Sequence, residues 1–90
     1  MSIDDWRSQI DGIDRKLVKL MNDRAHCVLE IARIKKDRKM SVVDLKREQI
    51  VFRNIESENR GPLESKSLNR IFKRIIEECR HIERQVTGEK

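Results

Sequence analysis

Arg24 is the first residue of this sequence whose position demands a chemical explanation. The apolar rhythm Ile3, Trp6, Ile10, Ile13, Leu17, Leu20, then Cys27, Ile31, Ile34 calls for a hydrophobic side chain where Arg24 stands. Burying an unpaired charge there costs roughly several kcal/mol, so something anionic should meet it. Lys35 follows eleven residues later. On a helix that is three turns plus about 20°, which puts the two cations on one face, roughly 16 Å apart at the backbone, with arms long enough to converge on one ligand. Asp44, Arg47 and Glu48 form a second group, sharing a helical stripe with Val51 and Ile55 where a plain surface helix would segregate charge from apolar side chains. This group fits a binding role and fits equally an intrahelical charge cluster, worth a few tenths of a kcal/mol per pair. Glu83 borders a later apolar face, four residues beyond Cys79 and seven beyond Ile76; by pattern alone it is an edge glutamate paired with Arg80 or Arg84. Arg7, seventeen residues before Arg24, lies about 25 Å from it and about 100° around the same helix, so it cannot serve the same site from that helix.

The elements that must position these residues follow from periodicity and punctuation. The seam alternates three- and four-residue steps, the heptad pattern of one long helix. Ser2 followed by Asp5 has capping-box spacing, and Asp4 and Asp5 suit the positive end of the dipole. A helix over residues 4–38 is roughly 50 Å long. Gly12 within it reads as a close-packing position, and the run Lys35-Lys36-Asp37-Arg38-Lys39 as a solvated terminus, Lys35 excepted. The connection from Lys39 to Val43 has neither glycine nor proline, so the boundary is weak; Ser41 or Asp44 caps a second helix reaching about Glu58. Gly61-Pro62 is the clear break. A third helix, capped by Ser65 or Ser67, runs to about Val86 behind Leu68, Ile71, Phe72, Ile75, Ile76, Cys79, Ile82 and Val86.

Ninety residues make a single domain over 1–90, and with 37% hydrophobic residues, 41% charged residues and three aromatics the chain has little material for a private core. A compact chain of this length has a radius of gyration of only about 12 Å, so the first helix overhangs its own domain. Self-association is the simplest cover for the exposed seam. The net charge of +5 favours anionic ligands without choosing among nucleic acid, acidic lipid and a small polycarboxylate. Nucleic acid fits poorly: Lys73-Arg74, Arg80 and Arg84 could track phosphates, but Arg24 and Lys35 sit on or beside the core seam among carboxylates, and no DNA- or RNA-binding signature appears. Cys27 and Cys79 lie on apolar stripes without CxxC spacing and are expected to be reduced core thiols; His26 and His81 have no partners at metal-ligand spacing. Nothing resembles a signal peptide or membrane span, which leaves the cytoplasm as the expected compartment.

Taken together, Trp6-Arg7 with Ile10 and Asp14, Asp23-Arg24, Lys35, Asp44-x-x-Arg47-Glu48, and Ile75-Ile76-Glu77 leading to Cys79 and Glu83 resemble the all-helical chorismate mutase family over nearly the whole chain. The resemblance implies an all-α fold, three helices per chain (one long, one short, one medium) in an intertwined homodimer, each active site borrowing an arginine from the partner's first helix. It implies that Arg24 and a partner's Arg7 hold the two carboxylates of chorismate, that Arg47 supports the site, and that Lys35 contacts the ether oxygen and one carboxylate. Glu48 would accept from the ring hydroxyl with Asp44 beside it, and Glu83, at a position that is glutamine in some members, would make the second contact to the ether oxygen. Cys79 falls where many members have serine. The implied reaction is the rearrangement of chorismate to prephenate on the route to phenylalanine and tyrosine, without cofactor or metal. An isochorismate-pyruvate lyase shares this fold, but Glu48 speaks against that activity; the remaining alternative is a non-catalytic helical dimer or regulatory domain.

Overall fold

The computed structural model describes residues 1–89. Among them are three helices and no strand: α1 (Ile3–Asp37), α2 (Leu45–Glu58) and α3 (Ser65–Thr87). The start of α1 is the expected capping box, with Ser2 Oγ accepting from the Asp5 amide at 3.2 Å and the Asp5 carboxylate accepting from the Ser2 amide at 2.9 Å. Its end is sharper than the sequence suggests. Lys39 takes a left-handed conformation at φ 57°, the Met40 amide donates to the Lys35 carbonyl at 2.8 Å, and the Lys39 amide donates to the Lys36 carbonyl at 3.2 Å. This is a Schellman terminus built on lysine at the position glycine usually fills.

The following loop is held from both sides at Val42. The Lys35 ammonium donates to the Val42 carbonyl at 2.9 Å, and the Val42 amide donates to both carboxylate oxygens of Glu89 at 3.3 Å. The Val42 side chain is buried. Of the two candidate caps for α2, Asp44 serves, its Oδ1 accepting from the Arg47 amide at 3.0 Å. The cap of α3 differs from expectation: Glu64 occupies that place without a side-chain bond. Both candidate serines are engaged elsewhere, Ser65 Oγ accepting from Asn59 at 3.1 Å and Ser67 Oγ from Arg70 at 3.2 Å. Helix α3 stops at Gly88, whose φ of 78° is the left-handed cap that glycine accommodates freely.

Packing follows from the apolar faces. Helix α3 is the middle element, resting against α1 on one side and α2 on the other, while α1 and α2 do not pack on each other among the described residues. A gap therefore remains between them, floored by α3. Among the described residues, only Ala32, Val42, Ile76 and Cys79 are buried apolar side chains. The molecule measures 54 × 24 × 18 Å with a radius of gyration of 16.1 Å, well above the roughly 12 Å of a compact chain of this length. The overhang is the first half of α1, where Ile3, Trp6, Ile10, Ile13 and Leu17 are 44–69% exposed. Cys27 departs from its expected place in the core, because its seam position faces the open gap and the thiol is exposed; Cys79 is buried as expected. No helix among the described residues is long and apolar enough to cross a membrane.

Candidate active site

The gap between α1 and α2 is a cavity of about 390 Å³, within the size range of small-molecule sites. Each helix lends it one stripe. Helix α1 contributes Arg24, Cys27, Val28, Ile31 and Lys35; α2 and its cap contribute Asp44, Arg47, Glu48 and Val51; α3 contributes Ile76, Cys79, Arg80 and Glu83. Steps of three and four residues hold each set on one helical face, so the mixing of charge with apolar side chains in the sequence marks where these three faces turn towards each other.

Seven of the eight candidate residues line this cavity: Arg24, Lys35, Asp44, Arg47, Glu48, Cys79 and Glu83. The eighth, Arg7, lies on the overhanging part of α1, 73% exposed, with Asp4 at 4.0 Å as its ionic neighbour. Arg24 donates from Nη1 to the Cys79 sulfur at 3.4 Å. Among the described residues no carboxylate pairs with Arg24, whose guanidinium lines the cavity.

Glu83 is buried, contrary to the edge-glutamate pattern. Its Oε2 lies 3.6 Å from the Lys35 ammonium, too far for a hydrogen bond, and has no hydrogen-bond partner among the described residues. Desolvation dominates, pushing its pKa above the ordinary carboxylate range; Lys35 and Arg80 pull it down, and Glu89 adds a smaller upward push. The net shift is upward, so Glu83 holds its proton, and with it the ability to donate, to higher pH than an ordinary carboxylate does.

Arg80 belongs to the site although its sequence position suggested an outer face or a partner for Glu83. It forms an ion pair with Glu48 across the α2–α3 contact, both side chains about one fifth exposed. Its signal was spacing: Arg80 follows Ile76 by four residues and precedes Glu83 by three, on the stripe that faces α2. Around the cavity stand four cations, Arg24, Lys35, Arg47 and Arg80, and three carboxylates. Asp44 is occupied as a helix cap, Glu48 is paired with Arg80, and burial raises the pKa of Glu83 above the ordinary carboxylate range. The surplus positive charge suits a ligand carrying more than one carboxylate.

Comparison with known proteins identifies the family and the fold. Residues 6–84 match the family model described as chorismate mutase type II. The chain is 36% identical over 81 residues to the bifunctional chorismate mutase/prephenate dehydratase of Neisseria gonorrhoeae, covering 90% of this chain and 22% of that protein. It is 32% identical over 82 residues to the protein of the same description from Pseudomonas aeruginosa, covering 86% of this chain and 22% of that one. The chain thus spans about a fifth of these relatives. Among solved structures it superposes on form II of the chorismate mutase of Thermus thermophilus with a TM-score of 0.88 at 27% identity, covering 90% of this chain and 92% of that one. Form I of the same enzyme gives a TM-score of 0.82 at 27% identity, covering 86% and 96%. With the match running from Trp6 to Arg84, across all three helices and every residue that lines the cavity, the chain belongs to the chorismate mutase type II family.

Proposed function

We propose that this chain rearranges chorismate to prephenate as a homodimer, each site completed by Arg7 of the partner subunit. The observation that carries the proposal is the convergence of Arg24, Lys35, Glu48 and Glu83 from three helices on one cavity with surplus positive charge. Chorismate offers two carboxylates, an ether oxygen and a ring hydroxyl, one feature for each kind of group present. The rearrangement breaks a carbon–oxygen bond and forms a carbon–carbon bond within one molecule, so it requires no nucleophile and no net proton transfer. A protein accelerates it by holding the compact conformer and by setting donors where negative charge grows on the ether oxygen.

Arg24 and Arg7 of the partner subunit bind the carboxylates, with Arg47 supporting. The Lys35 ammonium has three donors; one is spent on the Val42 carbonyl, which leaves two for the ether oxygen and a carboxylate. Protonated Glu83 donates to the same oxygen. Glu48 accepts from the ring hydroxyl, with Asp44 beside it, and the Cys79 thiol supplies a weaker polar contact. The exposed apolar seam of α1 supports the dimer. So does a second, apolar groove of about 720 Å³ between α1 and α3, lined by Met21, Ala25, Ile71, Ile75 and Ile82.

The test is the loss of chorismate absorbance with the product identified as prephenate, run in parallel on isochorismate with pyruvate release as the readout. Prephenate from chorismate supports the proposal. Pyruvate from isochorismate with no prephenate would assign the site to the lyase activity, and no product from either, with Arg24→Ala more stable than the unsubstituted chain, would indicate a non-catalytic dimer.

A further inference from the structure

We propose that Arg80 is a positioning residue that holds the Glu48 carboxylate towards the cavity as a hydrogen-bond acceptor, and thereby sets the site's preference for a ring bearing a free hydroxyl. This rests on the chorismate reading above.

Glu48 is poorly placed to face the cavity unaided. It lies in the first turn of α2, one helical turn beyond the capping carboxylate of Asp44, and like charges at that spacing repel. Without a cation the carboxylate would gain by swinging out towards water. Arg80 reaches it from the opposite helix and bonds Oε2, which removes that freedom and offsets the repulsion from Asp44. Oε1 takes no hydrogen bond from the protein among the described residues. A carboxylate has lone pairs on both oxygens, so Glu48 keeps an acceptor for a ligand while its orientation is fixed.

Arg80 is itself fixed by little else. Its Nε is buried and has no hydrogen-bond partner among the described residues, so the guanidinium is anchored through Glu48 in place of a second carboxylate. The pair is therefore a mutual device bridging α2 and α3 on the cavity wall. Loss of Arg80 should mobilise Glu48 while leaving Arg24 and Lys35, which are anchored through Cys79 and Val42, where they are.

The experiment compares chorismate with an analogue in which hydrogen replaces the ring hydroxyl, both carboxylates and the enol ether being retained. Arg80→Met, Arg80→Lys, Glu48→Gln and the Arg80→Met/Glu48→Gln double variant are assayed as dimers of verified helicity. For Arg80→Met the expected loss of kcat/KM on chorismate is about 10-fold, carried mainly by KM, against at most about 2-fold on the analogue. Arg80→Lys, which can still bond one carboxylate oxygen, should recover part of the loss on chorismate. In Glu48→Gln the single amide oxygen is taken by Arg80 and an NH2 donor is left for the cavity. Removing Arg80 as well costs no further acceptor, so the double variant should be no worse than Glu48→Gln.

Equal losses on the two substrates with Arg80→Met would overturn the proposal and make Arg80 a direct carboxylate contact or a general fold support. Multiplying losses in the double variant would overturn it as well. If Arg80→Met does not fold, Arg80→Lys decides alone: an intermediate loss confined to chorismate supports the role, and equal losses on both substrates exclude it. Discrimination by Glu48→Gln with none by Arg80→Met would sink the role of Arg80 but spare that of Glu48. An absence of discrimination by Glu48→Gln would remove the hydroxyl contact and this proposal together, and no turnover of chorismate by the unsubstituted protein would remove the functional reading as well.

Discussion

At the scale of single residues, the group with the clearest pH signature is Glu83, whose burial shifts its carboxyl group towards the protonated form that can donate. Desolvation raises its pKa, Lys35 and Arg80 oppose the rise, and Glu89 reinforces it. Turnover that depends on protonated Glu83 should fall as pH rises through its pKa in the complex. Glu83→Gln, a permanent donor of nearly the same shape, should flatten this alkaline limb and retain activity near neutrality; an unchanged limb in the variant, or a folded dimer inactive at every pH, would exclude the role. Stability carries the same signature. A carboxyl group whose folded pKa lies above its unfolded value of 4.5 stabilises the fold most fully below that value, and the contribution is lost as pH rises through the folded pKa. The unsubstituted protein should therefore lose thermal stability across that window and Glu83→Gln should not. Burial of this kind was not legible in the sequence, because the spacing of Glu83 from Ile76 and Cys79 places it at a border and says nothing of how deep the border lies. Arg24 and Lys35 were legible for the opposite reason: a cation on an apolar seam conflicts with its surroundings in a way that spacing alone exposes. Arg80 lacked such a conflict, since its position fits the outer face and the cavity wall equally well until α2 is in place.

At the scale of elements, the three helices and their approximate limits follow from heptad spacing, the Ser2–Asp5 box and the Gly61-Pro62 break, whereas the loop between α1 and α2 had to be seen. Its stop signal is a lysine in a conformation that costs a residue with a side chain roughly 1–2 kcal/mol. Lys39→Gly should relieve that strain. The greater freedom of glycine in the unfolded chain offsets part of the gain, so a net stabilisation of about 0.5–1 kcal/mol is expected in urea denaturation at fixed protein concentration. A variant less stable than the parent would mean that the lysine side chain contributes something the backbone geometry does not reveal. Farther along the same loop, the Val42 amide is capped by Glu89 and its carbonyl by Lys35, so one residue couples the loop, the cavity's ammonium and the segment after α3. Glu89→Ala should speed hydrogen exchange at the Val42 amide by about 10-fold or more, whereas the amides of central α3, such as that of Ile76, should exchange as before. Exchange at Val42 that stays slow would show that burial of its side chain holds the loop without the carboxylate.

At the scale of the whole molecule, the overhang was calculable from the sequence, because a seam of this length cannot be covered by two shorter helices, and the exposed row from Ile3 to Leu17 is its structural form. What covers the row was not calculable from one chain's periodicity. A dimer that buries it predicts an unfolding midpoint that rises with protein concentration, and a monomer of normal stability at nanomolar concentration would exclude that arrangement. Arg7 gives the stricter test. It is exposed on the overhang, roughly 25 Å along α1 from Arg24 by helix rise, so if it binds substrate it does so in the partner's cavity. Arg7→Ala and Arg24→Ala chains should each be inactive alone. In a heterodimer of the two, one site combines both lesions and the other combines Arg7 from the Arg24→Ala chain with Arg24 from the Arg7→Ala chain, leaving it whole. Equimolar mixing with free subunit exchange makes about half of the dimers mixed, so about a quarter of all sites should regain activity, a level set by the symmetry of a two-fold assembly. If Arg7 instead acted within its own chain, every site would carry one lesion whatever the pairing, and mixing would recover nothing even after exchange had been verified by mass.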